Sequence, residues 1–221
     1  MLVLVVGAAA ALLLSAPALG AAWLSPESAA LSGANPQQSP AIATAPAAPL
    51  SLALVADDGA FAPPHTTATS TLDWSTGAWN LPAGINHSGS TSAGQPDIAW
   101  GIDGSGAQNV DMVETGSSGG ALCSPNAGVF LSTSANGGAG WSTALVVNSA
   151  SNSSELVEPA IAVVLGRVYV AYTKLDWSVP GCSGPPDSSQ ILLAYTENGG
   201  FSWPTRRVSP LATTGAAHYR S

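Results

Sequence analysis

The stretch "YTENGGFSW", residues 195 to 203, follows the apolar run "ILLA" and decides how the chain is read. Asn198 can hold backbone amides across a tight turn, and Gly199 and Gly200 accept positive φ. Thr196 can bind the same turn through its hydroxyl. Trp203 then brings a large apolar surface to the start of the next strand. The stretch holds no acid, base and nucleophile together, so its role is structural.

The pattern occurs twice. "STSANGGAGWST" (132 to 143) and "AYTENGGFSWPT" (194 to 205) share [ST]-x-N-x-G-x-[GS]-W. The first copy is Ser134, Asn136, Gly138 and Trp141; the second is Thr196, Asn198, Gly200 and Trp203. The two tryptophans are 62 residues apart, and a further step back reaches Trp79 in "STGAWN". Upstream, "QPDIAW" from 95 matches "EPAIAV" from 158, and a Cys follows the second strand of each unit. Apolar residues alternate or form short β-rich runs, as in "GVFLST", "TALVVN", "RVYVAYT" and "ILLAYT", with no sustained 3.6-residue period. In the second unit four strands are expected near 159–164, 167–174, 190–196 and 204–208. Four antiparallel strands recurring about every 60 residues are the mark of a propeller blade, which must stack on neighbours to bury its faces. The expected fold is all-β, a β-propeller of four-stranded antiparallel blades. Blades fall at about 95–147 and 158–210, with a degenerate unit before 90, inside a partial propeller spanning 51–221. A closed propeller needs four to eight blades. Further blades outside the chain are the favoured completion, and self-association is the alternative.

The N-terminal "MLVLVVGAAAALLLSAPALGAAWL", residues 1 to 24, reads as a signal peptide or N-terminal membrane anchor. Residues 25–50, rich in Pro, Ala and Ser, read as a linker. Export is further suggested by sequons at Asn86 and Asn152. The destination is then secreted or cell surface. The chain of 221 residues carries five Lys and Arg against 13 Asp and Glu, for a net charge of −8. That balance argues against nucleic acid, whose phosphates need clustered Lys and Arg. It also argues against an acidic lipid surface, leaving the N-terminal segment as the only expected membrane contact. There is no CxxC motif and no Cys/His cluster, so neither metal nor cofactor is expected.

The [ST]-x-[DN]-x-G-x-[ST]-W pattern resembles the Asp-box, or BNR repeat, of the sialidase superfamily. The same hairpin also occurs in xyloglucanases, sortilin-type receptors and a photosystem assembly factor. The resemblance covers roughly residues 90 to 210, with Asn in place of the usual Asp in both boxes. It implies box hairpins on one rim and ligand-binding loops on the opposite face. That face would carry 114–128, 148–158, 176–189 and 211–220, with Cys123 and Cys182 in equivalent loops, where a disulfide between adjacent blades is expected. Sialidases hold a substrate carboxylate with three arginines and use a Tyr/Glu nucleophile pair with an Asp acid/base. This chain has no [FY]-R-I-P motif; "FAPP" at 61 to 64 has Ala where Arg would stand. The catalytic candidates on the expected loop face are Glu155, Glu158, Asp176 and Asp187, two of which would have to lie about 5 to 10 Å apart. The expected function is therefore an exported sialidase-like propeller acting on or binding glycans. The alternative is a non-catalytic binding or scaffold propeller.

Overall fold

The computed structural model describes residues 37–45, 51–58, 67–73, 78–79, 83–84, 92–102, 106–117, 123–198 and 200–213. These form three antiparallel sheets, and no helix occurs among them. The first sheet holds β1 (Gln37–Thr44), β2 (Ser51–Asp58), β3 (Thr67–Asp73), β4 (Ala78–Trp79) and β5 (Ala83–Gly84). The second holds β6 (Ser92–Ile102), β7 (Gln108–Ser117), β8 (Ala127–Ser134) and β9 (Ser142–Asn148). The third holds β10 (Ser154–Val164), β11 (Arg167–Asp176), β12 (Ser188–Thr196), β13 (Thr205–Arg207) and β14 (Ala212–Thr213). Each sheet is a meander in which sequential strands pair. In the first and third sheets the outermost strand is split, β4 and β5 both pairing with β3, and β13 and β14 both pairing with β12.

The segment read as a linker, 25–50, requires a correction, because Gln37–Thr44 within it is the first strand of the first sheet. Its proline is compatible with a strand for a local reason. The ladder slips between Gln38 and Ala41, around Ser39 and Pro40, where no amide hydrogen is needed from the imide nitrogen. The same slip surrounds Pro96, between Gly94 and Asp97, and Pro159, between Val157 and Ala160. Each first strand thus carries Pro-x-Ile-Ala directly after a bulge: 40–43, 96–99 and 159–162. In the second and third sheets the residue before the proline, Gln95 or Glu158, takes φ of 52°. Residues 211–220, expected to lie wholly in a loop, contribute β14 at Ala212–Thr213.

Side chains alternate between the faces of a strand, and here both faces of the middle sheet are used. Val110 and Met112 of β7 and Ile98 of β6 pack with Ala53, Ala41 and Ala43 of the first sheet. Val113 of β7, one residue out of phase, packs with Val129, Leu131 and Val146 against Leu156, Val170, Tyr172 and Ala194 of the third. That double use explains why eight consecutive residues of β7 are buried. The closest approaches between sheets all involve β6 or β10: β6 with β1, β2 and β3, and β10 with β6, β7 and β8. The sheets therefore converge on their first strands and splay toward their last.

Gly101 permits this convergence. A Cβ built there would lie 2.1 Å from Val163 Cγ1 and 2.8 Å from Val163 Cβ, too close for a β-branched neighbour to evade by rotation. Gly101→Ala is expected to lower the free energy of unfolding by about 1–3 kcal/mol, read from urea unfolding, as overpacking does elsewhere.

Two side chains of β6 also bind the backbone of β10. Gln95 Oε1 accepts from the Glu158 amide at 2.7 Å, and Asp97 Oδ2 accepts from the Ile161 amide at 2.8 Å. Buried Asp111 accepts a hydrogen bond from Thr133 Oγ1 at 2.6 Å. Desolvation raises its pKa above the usual 3.8, and the Thr133 hydroxyl offsets part of that rise. The folded state then holds this proton more tightly than the unfolded chain does. Stability should fall as pH rises from 3.8 through the folded-state value, and stay lower above it. Asp111→Asn should flatten that segment of the profile, measured as urea midpoints across the acid range.

Candidate functional site

The two box hairpins close the β8–β9 and β12–β13 connections with the same bonds. In the first, Ser134 Oγ donates to Asn136 Oδ1 at 2.8 Å, the Gly138 amide donates to Ser134 Oγ at 2.8 Å, and the Gly140 amide to Asn136 Oδ1 at 2.8 Å. In the second, Thr196 Oγ1 donates to Asn198 Oδ1 at 2.8 Å, the Gly200 amide to Thr196 Oγ1 at 3.0 Å, and the Ser202 amide to Asn198 Oδ1 at 3.2 Å. Asn serves as well as Asp in the bonds the two boxes share, because these use only its carbonyl-type oxygen; in the second box Asn198 Nδ2 also donates to Ser202 Oγ at 3.0 Å. Gly138 and Gly200 take φ of 93° and 92°, which a side chain would resist. Trp141 and Trp203 pack against the apolar clusters between sheets one and two and between sheets two and three, respectively. The boxes are therefore turn locks and wedges, with no chemistry of their own.

The opposite end is built from three connections drawn together. Cys123, between β7 and β8, and Cys182, between β11 and β12, form a disulfide with Cα atoms 6.0 Å apart. The β9–β10 connection runs past it. The Gly181 amide donates to the Asn152 carbonyl at 2.7 Å, and the Cys123 sulfur lies 3.4 Å from the same oxygen. Ser149 Oγ donates to the Ser124 carbonyl, and Ser151 and Ser153 hydroxyls bond each other at 2.9 Å. The Trp177 amide donates to Ser153 O at 2.9 Å, and its indole Nε1 donates to Gly184 O at 3.0 Å. The result is a braced polar surface of Ser, Asn and Gly with one oriented indole. The side chain of Asn152 is exposed on it, and Asn86 lies outside the described residues.

Of the four catalytic candidates, Asp176 and Asp187 meet through a backbone hydrogen bond, while Glu155 and Glu158 lie on β10. Asp176 ends β11, where its Oδ1 accepts from Ser154 Oγ at 2.5 Å and pairs with Lys174 Nζ at 2.8 Å. Asp187 caps its own loop by accepting from the Ser178 amide, while its amide donates to Asp176 O at 2.8 Å. Glu155 and Glu158, expected in a loop, lie within the strand β10, because the chain turns back into the sheet at Ser154. Glu155 is half-buried, and desolvation raises its carboxyl pKa. Glu158 stands at the bulge beside Pro159. Glu114, also expected in a loop, is a fully buried residue of β7.

The arginines sit elsewhere. Arg167 starts β11 and pairs with Glu197 at 3.3 Å, both side chains being more than half exposed. Arg206 lies over the Tyr195 ring at 5.9 Å. Arg167 and Asp176 occupy opposite ends of one strand, nine residues apart, a separation of about 30 Å at the usual strand rise. Among the described residues, no group of three or more His, Cys, Asp or Glu is placed to hold a metal ion, and no helix is long and apolar enough to cross a membrane.

No family model matches the chain, and no curated protein is similar to it.

The disulfide closes a sequence separation of 59 residues, for which the loop-entropy relation gives at most about 4 kcal/mol. Replacing Cys123 and Cys182 by Ser together should lower unfolding free energy by about 2–4 kcal/mol. Amide exchange should accelerate in residues 149–153 and 177–187 before it does in the sheets.

Proposed function

We propose that this chain forms part of an exported Asp-box β-propeller that binds carbohydrate at its disulfide-braced loop end and acts as a binding or scaffold module. The observation that carries this reading is the disposition of charge. Asp176 is satisfied by a hydroxyl and a lysine, Asp187 by a loop amide, and Arg167 lies about 30 Å away along β11. Carboxylates spent on local structure and arginines at the other end of a strand suit a scaffold better than hydrolysis of an anionic sugar. The loop surface itself suits a neutral, hydroxyl-rich ligand. Trp177 supplies an aromatic face held in one orientation, and Ser and Asn supply both donors and acceptors. Recognition by loops on a braced sheet scaffold is a common division of labour. The propeller architecture is supported by three repeated meanders that converge on their first strands. Export is supported by the disulfide and by the apolar stretch at residues 1 to 24.

One observation favours the hydrolase reading. Glu155 is a half-buried carboxyl whose affinity for its proton is raised by desolvation, the property a general acid in glycoside cleavage needs.

A glycan array probed with the purified chain, beside a fluorogenic sialoside assay, separates the two. Binding to neutral glycans is expected, weakened at least about tenfold by Trp177→Ala, without turnover of the sialoside. Turnover that Glu155→Gln abolishes would replace the scaffold reading with the hydrolase one.

A further inference from the structure

The same sheet-on-sheet interface is used twice, and among the described residues both of its halves recur at the ends of the stack with exposed apolar side chains. The second sheet offers the third Val113, Val129, Leu131 and Val146. A step of 62 residues carries the last three onto Ile191, Leu193 and Val208 of the third sheet. Ladder register carries Val113, opposite Leu131, onto Ala171, opposite Leu193. All four are apolar, and they lie on the face turned away from the second sheet. Val208 is 61% exposed there, as is Val164 at 54%. The receiving half recurs as well. Ile98 packs against the first sheet and Ile161 against the second, each in the Pro-x-Ile-Ala strand. Their counterpart Ile42 in β1 is 62% exposed. A polar counterpart exists too. Gln95 accepts from the β10 backbone, and 63 residues on, Glu158 occupies the same bulge position with the third sheet's free face before it.

From these two complementary faces we infer that a second copy of this chain covers both, in a head-to-tail dimer whose two identical interfaces each join the third sheet of one copy to the first sheet of the other. The described residues of one copy form three sheets, so a pair brings six together, within the four to eight typical of closed propellers. The convergence of the sheets on β1, β6 and β10 supplies the wedge shape that closure needs. In the dimer, Glu158 accepts a backbone amide of the partner's β1, as Gln95 accepts that of Glu158 within one copy. The inference rests on the propeller part of the proposed function and not on its ligand.

The test is light scattering on the purified full chain, referenced to its protomer mass under denaturing conditions. Twice the protomer mass is expected. Val208→Asp and Ile42→Asp, both at exposed positions, should each weaken dimerisation at least about 100-fold while leaving the near-UV circular dichroism unchanged, since each buries a charge in an apolar interface. Mixing the two variants restores one unmodified interface and should recover dimer, an outcome peculiar to head-to-tail pairing. Glu158→Ala should weaken the dimer and Glu158→Gln should keep it. A monomer at micromolar concentration, an open polymer, or a dimer indifferent to Val208→Asp would overturn the inference. Loss of glycan binding in an intact dimer would instead count against the ligand reading alone.

Discussion

A four-stranded meander with apolar side chains on both faces cannot hide them by itself, and the packing of one sheet on the next is what the rest of this molecule depends on. Each buried Val, Leu or Ile contributes about 1.5–3 kcal/mol relative to exposure. The cluster joining the second and third sheets holds eight buried residues, so the interface outweighs any single hydrogen bond in the hairpins. The remaining features serve that contact. Gly101 removes a side chain where β6 meets β10, Gln95 and Asp97 at the bulge around Pro96 reach the β10 backbone, and Trp141 and Trp203 wedge the outer hairpins against the shared clusters. Hydrogen bonds from β6 side chains to β10 amides then fix the register between sheets, which apolar contact alone leaves free to slide.

Much of this was legible in the residues. The boxes announced two hairpins because Ser/Thr, Asn, Gly and Trp each have one physical task in that turn, and the bonds of the two copies match in partners. Strand positions in the third sheet lie within a few residues of those read from alternation. What escaped was β1. Its Pro40, Ala41, Ile42 and Ala43 repeat the pattern of Pro96–Ala99 and Pro159–Ala162, but they stand in a run of Pro, Ala and Ser whose composition is that of a linker. Composition averages over a window, whereas a bulge needs one proline in one place. The P-x-I-A spacing was the signal that outweighs the average. Glu155 and Glu158 depart from the loop expected for them for a related reason. Glu155 and Glu158 follow a Ser- and Asn-rich stretch, yet the ladder resumes at Ser154, whose hydroxyl is bound by Asp176.

Charge is used sparingly, and mostly for structure. Lys174 and Asp176, two apart on β11, share a face and neutralise each other where the strand leaves the sheet. Asp97 and Asp111 are placed on backbone or hydroxyl donors between sheets rather than in a cleft. A site for an anionic substrate needs free cations at the loop end, and Arg167 and Arg206 instead lie around the paired Tyr169 and Tyr195, with Arg167 bound to Glu197. The disulfide follows the same economy. It joins equivalent loops of adjacent sheets, tying the β7–β8 connection to the β11–β12 connection, and so holds the polar loop surface in shape.

The free face of the third sheet shows how such a surface stays compatible with water. Where the second sheet has the cross-strand pair of buried Asp111 and part-buried Thr133, the third has Tyr169 and Tyr195, stacked with centroids 6.3 Å apart. Arg206 lies over Tyr195, and the Arg167–Glu197 pair borders it. Tyrosine rings offer apolar area together with a hydroxyl that remains hydrated, and a guanidinium over a ring keeps its charge toward solvent. This face therefore carries enough apolar area at Ala171, Ile191, Leu193 and Val208 to pack like its neighbours, while its upper margin remains soluble. A sheet edge meant only for water would have no need to repeat the apolar positions of a buried one, and a sheet meant only for a core would have no need of the tyrosines and arginine. Their coexistence on one face joins the apolar positions of a packing surface to a hydrated polar margin.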